Sequence, residues 1–439
     1  MRLLSVLSLC LPVLVRASPG DDRAVAIPAY ANDSPYWHNV AKKKGKSICI
    51  VLPSRNGDDD APAIMNALNK ECQKNSLVVF PGPVYNIQTN MTTVDMKNVE
   101  IHHFGRFLWS TDIDYWLSVS MPVGFQNQST VWYFGGDRVT LDGHGSGVFD
   151  GNGQVWYDWA KNGSNLPRRP MNINWRTLTN SAIRNMRFVQ SQMWTMATTW
   201  THNVEFDDIY VNNTSTSKWG TINTDGIDTI YSSNITLRRW SITCGDDGVT
   251  LKRNSSNVRL YDSTLYGASG IAMGSIAQHN GEYDFIDGFY AHNITLYDTT
   301  HALYVKTWSG TSMGYPPNGG GGGIGRMNNV VVEDLRLAGT RSYPFYAWQC
   351  ENYEGNAGKE CQTSKFHMDG FTAKGISGWA NKGNGYAGWF ECSAGAGGCH
   401  DYSVSDFDVK NGEGGEKLDK WYCENMHEHS GFTCSGKPE

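Results

Sequence analysis

Seven short segments, each opening on a polar residue and then placing apolar side chains at alternate positions, punctuate the chain: Asn98-Val99-Glu100-Ile101, Arg138-Val139-Thr140-Leu141, Asn203-Val204-Glu205-Phe206, Asn234-Ile235-Thr236-Leu237, Asn257-Val258-Arg259-Leu260, Asn293-Ile294-Thr295-Leu296 and Asn329-Val330-Val331-Val332, the last with an apolar residue between as well. Each has the period of a half-buried strand. Several pass through a polar break into a second short strand, as in Phe206-Asp207-Asp208-Ile209-Tyr210-Val211. Strands this short, with turns of Gly, Asn and Asp and a repeat in the low twenties, cannot all pair as tight hairpins. The pattern predicts an all-β, right-handed parallel β-helix, a solenoid in which each coil buries its inward residues only by stacking on its neighbours. A propeller needs a regular period of about 40 with four strands per blade, and that pattern is missing.

A solenoid changes what the length means. A chain of 439 residues would suggest about three ordinary domains at roughly 150 residues each, but one continuous core carries residues 18–439 as a single β-helix domain. The segment from Asp59 to Cys72 predicts a short N-terminal capping helix, with carboxylates at its start, Pro62 in the first turn and Ile64, Leu68 and Cys72 on one face. Such a helix hides the open edge of the first coil. Gly319 to Gly323 reads as a mobile insertion between coils, and the absence of a following Lys-Ser/Thr argues against a phosphate cradle.

The first residues predict export. Arg2, an apolar run from Leu3 to Val15, and Val15-Arg16-Ala17 form a signal peptide over residues 1–17. The run is too short to span a bilayer, so a secreted, extracellular protein with no membrane partner is expected. Losing Arg2 and Arg16 takes the formal net charge from −6 to −8. With no extended basic patch, nucleic acid is not an expected partner. The oxidising route suits local disulfides, Cys49 with Cys72, Cys350 with Cys361, Cys392 with Cys399 and Cys423 with Cys434, leaving Cys244 as a buried thiol. Sequons at Asn32, Asn90, Asn127, Asn162, Asn212, Asn213, Asn234, Asn254 and Asn293 predict a glycoprotein, with those facing packed regions unused. No metal or cofactor is implied, and a monomer is expected.

The chemistry concentrates in Asn223-Thr224-Asp225-Gly226 and Gly245-Asp246-Asp247-Gly248. Asp225 and Asp246 are 21 residues apart, about one coil, so equivalent places on adjacent coils bring three carboxylates together. Crowded like charges raise the pKa of at least one, which keeps a proton for a leaving group while another stays ionised to activate water. Those are the requirements of glycoside hydrolysis. Any one of these aspartates also fits an ordinary turn. What favours a site is the repetition of polar residues at one place on later coils, in Ser269-Gly270-Ile271-Ala272-Met273-Gly274-Ser275 and Val305-Lys306-Thr307-Trp308.

In that order these motifs, with Leu141-Asp142-Gly143-His144-Gly145 and Phe149-Asp150-Gly151-Asn152-Gly153 upstream, resemble glycoside hydrolase family 28, the polygalacturonase family, from about residue 46 to 435. The resemblance implies inverting hydrolysis in a pectin-like, plant cell-wall polysaccharide, with Asp246 as general acid and Asp225 and Asp247 activating water. It also implies substrate contacts from Asn223, Ser269, Tyr304, Lys306 and Trp308. Ser269 stands where the family has a His, and Tyr304 where it has an Arg. An Arg fork matches a galacturonate carboxylate, whereas a Tyr ring and hydroxyl suit a neutral deoxy sugar. Trp194, Trp308 and Trp389 are candidate sugar platforms, with core or loop packing the favoured reading of each; Trp308 is the best placed of them, beside Lys306. The reading is an exo-acting enzyme releasing terminal α-L-rhamnose. Exo-polygalacturonase and rhamnogalacturonan hydrolase are the alternatives within the family, and a calcium-dependent pectate-lyase-like enzyme or a non-catalytic carbohydrate-binding β-helix the alternatives outside it.

Overall fold

The computed structural model describes residues 26–351, 358–382 and 385–435, so the expected signal over residues 1–17 lies outside the described residues. Parallel pairings link coil to coil through one 25-stranded sheet. The repeated Asn marks the tightest point of the coil. Asn98, Arg138, Asn203, Asn234, Asn257 and Asn329 have φ between 52° and 58°, the left-handed region that Asn tolerates better than branched residues. Their amides then bind one coil to the next: Asn180 donates to Asp137 at 2.8 Å, Asn203 to Asn180 at 3.2 Å and Asn234 to Asn203 at 2.9 Å.

Asn293 is an exception to the expected repeat. Its strand residues Ile294, Thr295 and Leu296 pair with Ser263, Thr264 and Leu265, so Asn293 makes the second turn of its coil. Gly288 takes the first-turn place instead, between Asp287 and Phe289, which pair with Ser256 and Val258. The polar breaks seen in the sequence are these second turns, with Asp208, Arg239, Asp262 and Asp334 all at positive φ.

Inward residues form columns along the axis. Val204, Ile235, Val258, Phe289, Val330, Phe371 and Tyr402 stack through seven coils, each pair set by strand register. All seven are buried, and each apolar side chain of this size stabilises the fold by about 1.5–3 kcal/mol. At the open N-terminal end the expected capping helix is present but shorter, Ala61–Asn66 running into a wide turn Ala67–Glu71. Ala61, Ile64, Leu68 and Cys72 close the core. A second helix, Ser34–Lys44, was not foreseen; Asp33 caps it by accepting from Tyr36 N at 2.9 Å, and Gly45 ends it at φ 63°. Its Trp37 and Ala41 pack on the outer face of the first coils against Leu77, Val79 and Phe104.

All four expected disulfides form, and Cys244 is a buried free thiol. Two sequons are corrected. Asn212 and Asn213 are buried, and the Asn213 amide is spent on Thr195, Thr224 and the Ser191 backbone, so neither is open to a glycosyltransferase. No helix among the described residues is long and apolar enough to cross a membrane.

Candidate active site

The site lies where four successive strands, Ile227–Ile230, Val249–Leu251, Ile271–Ile276 and Leu303–Trp308, turn their alternate residues outward. Just before three of them stand Gly226, Gly248 and Gly270, stacked coil on coil. Gly226 N donates to Asp247 O at 2.8 Å and Gly248 N to Gly270 O at 2.9 Å. A Cβ on Gly226 would lie 2.3 Å from Gly248 O, so this close approach admits only glycine.

Register corrects the expected geometry. Ile227 pairs with Val249 and Val249 with Ile271, so the coil equivalent of Asp225 is Asp247, followed by Ser269, and Asp246 falls opposite Thr224. The three carboxylates still converge, with one oxygen from each of Asp225, Asp246 and Asp247 within 4.8 Å of the others. Outward positions on the following strands complete the site. Lys252, Gly274 and Lys306 occupy one column, and Thr250, Ala272 and Tyr304 the next. The coil between the two lysines thus carries only Gly and Ala, and the space it leaves is a cavity of about 260 Å³ lined by Trp194, Asn223, Asp225, Asp246, Tyr304 and Glu351 among others.

Four buried or half-buried aspartates share two lysines. Lys306 Nζ lies 2.8 Å from Asp247 Oδ2, and Tyr304 donates its hydroxyl to Asp247 Oδ1. Lys252 Nζ lies 3.3 Å from Asp228 Oδ1 and 4.7 Å from the centre of the Trp194 ring. Burial works against the charge of Asp247, yet Lys306, Lys252 and the donated hydrogen bonds hold its carboxyl below the usual range. Asp246 is pushed up to about 6 by burial and then by Asp247, with the lysines opposing. Burial and its three acidic neighbours carry Asp225 well above the usual range, and burial takes Asp228 to about 7. The cluster therefore separates into one ionised carboxylate and others that retain protons. Asn223 fixes Asp246 through Nδ2 at 3.3 Å, while its own Oδ1 accepts from Asn165 N and Ser164 Oγ at 2.8 and 3.0 Å.

The expected substrate-facing set is only partly assembled. Asn223, Tyr304, Lys306 and Trp194 line the cavity. Trp308 is 1% exposed, so no sugar can stack on it. Trp389 lies outside the cavity lining, with its ring against Tyr343 and Tyr422. Ser269 meets the cluster through its main chain, N–H donating to Asp246 O at 2.7 Å, and is not among the residues lining the cavity. The Tyr304 hydroxyl is committed to Asp247 instead of a sugar. The loop that closes the site is also not a mobile insertion. Gly319, Gly320, Gly321 and Gly323 are buried, Gln278 Nε2 holds Pro317 O and Gly319 O at 3.1 and 2.9 Å, and Gly321 has φ 108° with Thr311 O only 2.2 Å from where a Cβ would stand. Lys252, Asp228 and Glu351 were missed. For Lys252 the signal was present in Val249-Thr250-Leu251-Lys252, whose alternation puts Lys252 on the face of Lys306.

The family model for glycosyl hydrolases family 28 matches residues 118–434. The chain belongs to this family. It is 40% identical over 392 residues to the alpha-L-rhamnosidase rgxB of Aspergillus niger, covering 89% of this chain and 90% of that protein. It is 33% identical to the exopolygalacturonase X-1 of Emericella nidulans, covering 76% of this chain and 75% of that one. Among solved structures, the endo-xylogalacturonan hydrolase from Aspergillus tubingensis superposes with a TM-score of 0.74 at 24% identity, over 89% of this chain and 99% of that chain. The fold is thus the right-handed β-helix of pectin hydrolases, and the family 28 membership makes the chain a glycosidase.

Proposed function

We propose that this family 28 chain is a secreted, exo-acting α-L-rhamnosidase that removes terminal α-L-rhamnose from pectic or related glycans by inverting hydrolysis. The observation that carries the choice of sugar is the pairing of charges in the cavity. Its two cations, Lys252 and Lys306, each already face a buried aspartate, while Asp225, Asp246 and Glu351 also line it. A galacturonate carboxylate entering there would meet neutralised lysines and further acid groups. A neutral deoxy sugar needs no unpaired cation, and the 40% identical relative is named a rhamnosidase. A cavity of about 260 Å³, below the roughly 300–1,000 Å³ of sites for larger ligands, suits one terminal ring and hence exo action.

In this reading Asp246, with a pKa of about 6, protonates the glycosidic oxygen as the bond breaks. Asp247 is the ionised base, and Asp225, whose Oδ1 has no protein partner, holds the attacking water with it. Lys306 and Tyr304 keep Asp247 charged and in place, and Asn223 does the same for the position of Asp246. The test is incubation with an aryl α-L-rhamnoside and, separately, with oligogalacturonides. Rhamnoside cleavage is expected; release of galacturonate without rhamnose overturns the assignment.

A further inference from the structure

A larger cavity, of about 840 Å³, adjoins the catalytic one, and Gln126, Asn165 and Pro317 line both. Its inner wall is built by Tyr231, Arg253 and His279, which follow three of the site strands, and its outer wall by the segment around Gln126 to Gln128 and the loop bearing Tyr315. We propose that this cavity receives the leaving-group side of the substrate and selects an uncharged glycoside there. The inference rests on the rhamnosidase reading above and adds the chemistry of the group to which rhamnose is attached.

The argument is again one of charge already spent. Arg253 is bound by Glu282 and, at 2.6 Å, by Asp284 Oδ1. Arg168 turns its guanidinium to the carbonyls of Leu117, Ser118 and Ser120, the last two at 2.9 Å, at the C-terminal end of helix Ile113–Val119, where the carbonyls carry partial negative charge. Burial lowers the pKa of His279, favouring the neutral ring. A uronate in this cavity would find its arginines occupied and Glu282 on the wall. What the wall offers instead is uncharged: the side-chain amides of Gln126, Gln128, Asn165 and Asn318, of which Gln126 and Gln128 each give an N–H to a protein partner, Gln278 and Asn165, and aromatic surface. Tyr315 is 65% exposed, with its ring edge-on to His279 at 5.9 Å. Amides around an open aromatic face match a polyhydroxyl or aryl group without charge.

The experiment compares kcat/KM for α-L-rhamnosyl disaccharides with glucose or galacturonate as the leaving sugar, in the wild type, Tyr315→Ala and Tyr315→Phe, with methyl α-L-rhamnoside as a substrate that does not fill the cavity. The wild type is expected to prefer the neutral disaccharide by about tenfold, since a uronate meets Glu282 and arginines already paired. Tyr315→Ala should lower kcat/KM for the neutral disaccharide by about tenfold through KM, the scale of one aromatic contact, leave methyl rhamnoside turnover unchanged, and differ from Tyr315→Phe, which retains the ring. Equal use of both disaccharides, preference for galacturonate, or an equal loss on methyl rhamnoside overturns the inference while leaving the rhamnosidase reading intact. No rhamnose from any of the substrates overturns both.

Discussion

The ammonium of Lys306 sits 2.8 Å from Asp247 Oδ2 although the two residues lie two coils apart. The contact exists because the intervening coil contributes Gly274 in the same column, leaving the lysine room to reach back. Lys306 is thus a main reason a fully buried carboxylate remains ionised. In Lys306→Met the Asp247 carboxyl should rise, and the acid limb of the kcat/KM profile should move to higher pH with a loss of about 10²-fold at the optimum, as expected when a catalytic base is impaired. Lys306→Arg should hold the limb near its original place. An acid limb that does not move in Lys306→Met contradicts the role given to Asp247.

The other acids titrate in the opposite sense. Asp246 must be protonated to act, so kcat/KM should fall as pH rises through about 6. The fold favours the protonated forms of Asp246, with a pKa of about 6, of Asp228 at about 7, and of Asp225. Their contribution to stability is complete below about pH 4, the ordinary carboxylate range, and is lost as pH rises through the shifted values. Asp247 contributes oppositely, and its share is lost only as pH falls below that range. Thermal unfolding should therefore show Tm declining between about pH 5 and 8, and Asp228→Asn should flatten the decline. A Tm that climbs over this interval refutes the protonation pattern.

The close packing of the carboxylates bears on stereochemistry. One oxygen from each lies within 4.8 Å of the others, nearer than the roughly 6.5–9.5 Å between carboxyls in most inverting glycosidases and close to the roughly 5–5.5 Å of retaining ones. Inversion is nevertheless expected, because Tyr304 and Lys306 tether both oxygens of Asp247, holding it where it takes a proton from water instead of closing on the sugar carbon, and Asp225 favours its protonated form. Proton NMR of the first sugar formed from an α-L-rhamnoside should show the β anomer. Initial α-rhamnose would make one of the two a nucleophile.

Much of this was legible in the chain because a solenoid writes its geometry locally. The Asn repeat, the disulfide spacing and the Asp-Gly motifs each report a turn, a closure or a close backbone approach within a coil or two. Register was harder to read, since sequence spacing alone cannot tell a first turn from a second. That is why Asn293 was placed on the wrong row and Asp225 was aligned with Asp246 when its equivalent is Asp247. Residues far apart in the chain, such as Gln126 and Gln278, which hydrogen-bond across the site, left no local signature. Trp308 looked available because it adjoins Lys306 and alternation puts it on the same side of the strand, but the folded chain leaves it only 1% exposed.

The most direct test of the catalytic assignment is Asp246→Asn assayed on two rhamnosides that differ in how much their leaving group needs a proton. On methyl α-L-rhamnoside, which requires protonation, turnover should fall by about 10³-fold; on a dinitrophenyl α-L-rhamnoside, whose leaving group departs as an anion, by no more than about tenfold. Equal losses on the two substrates, or no loss on the methyl glycoside, would contradict Asp246 as the general acid.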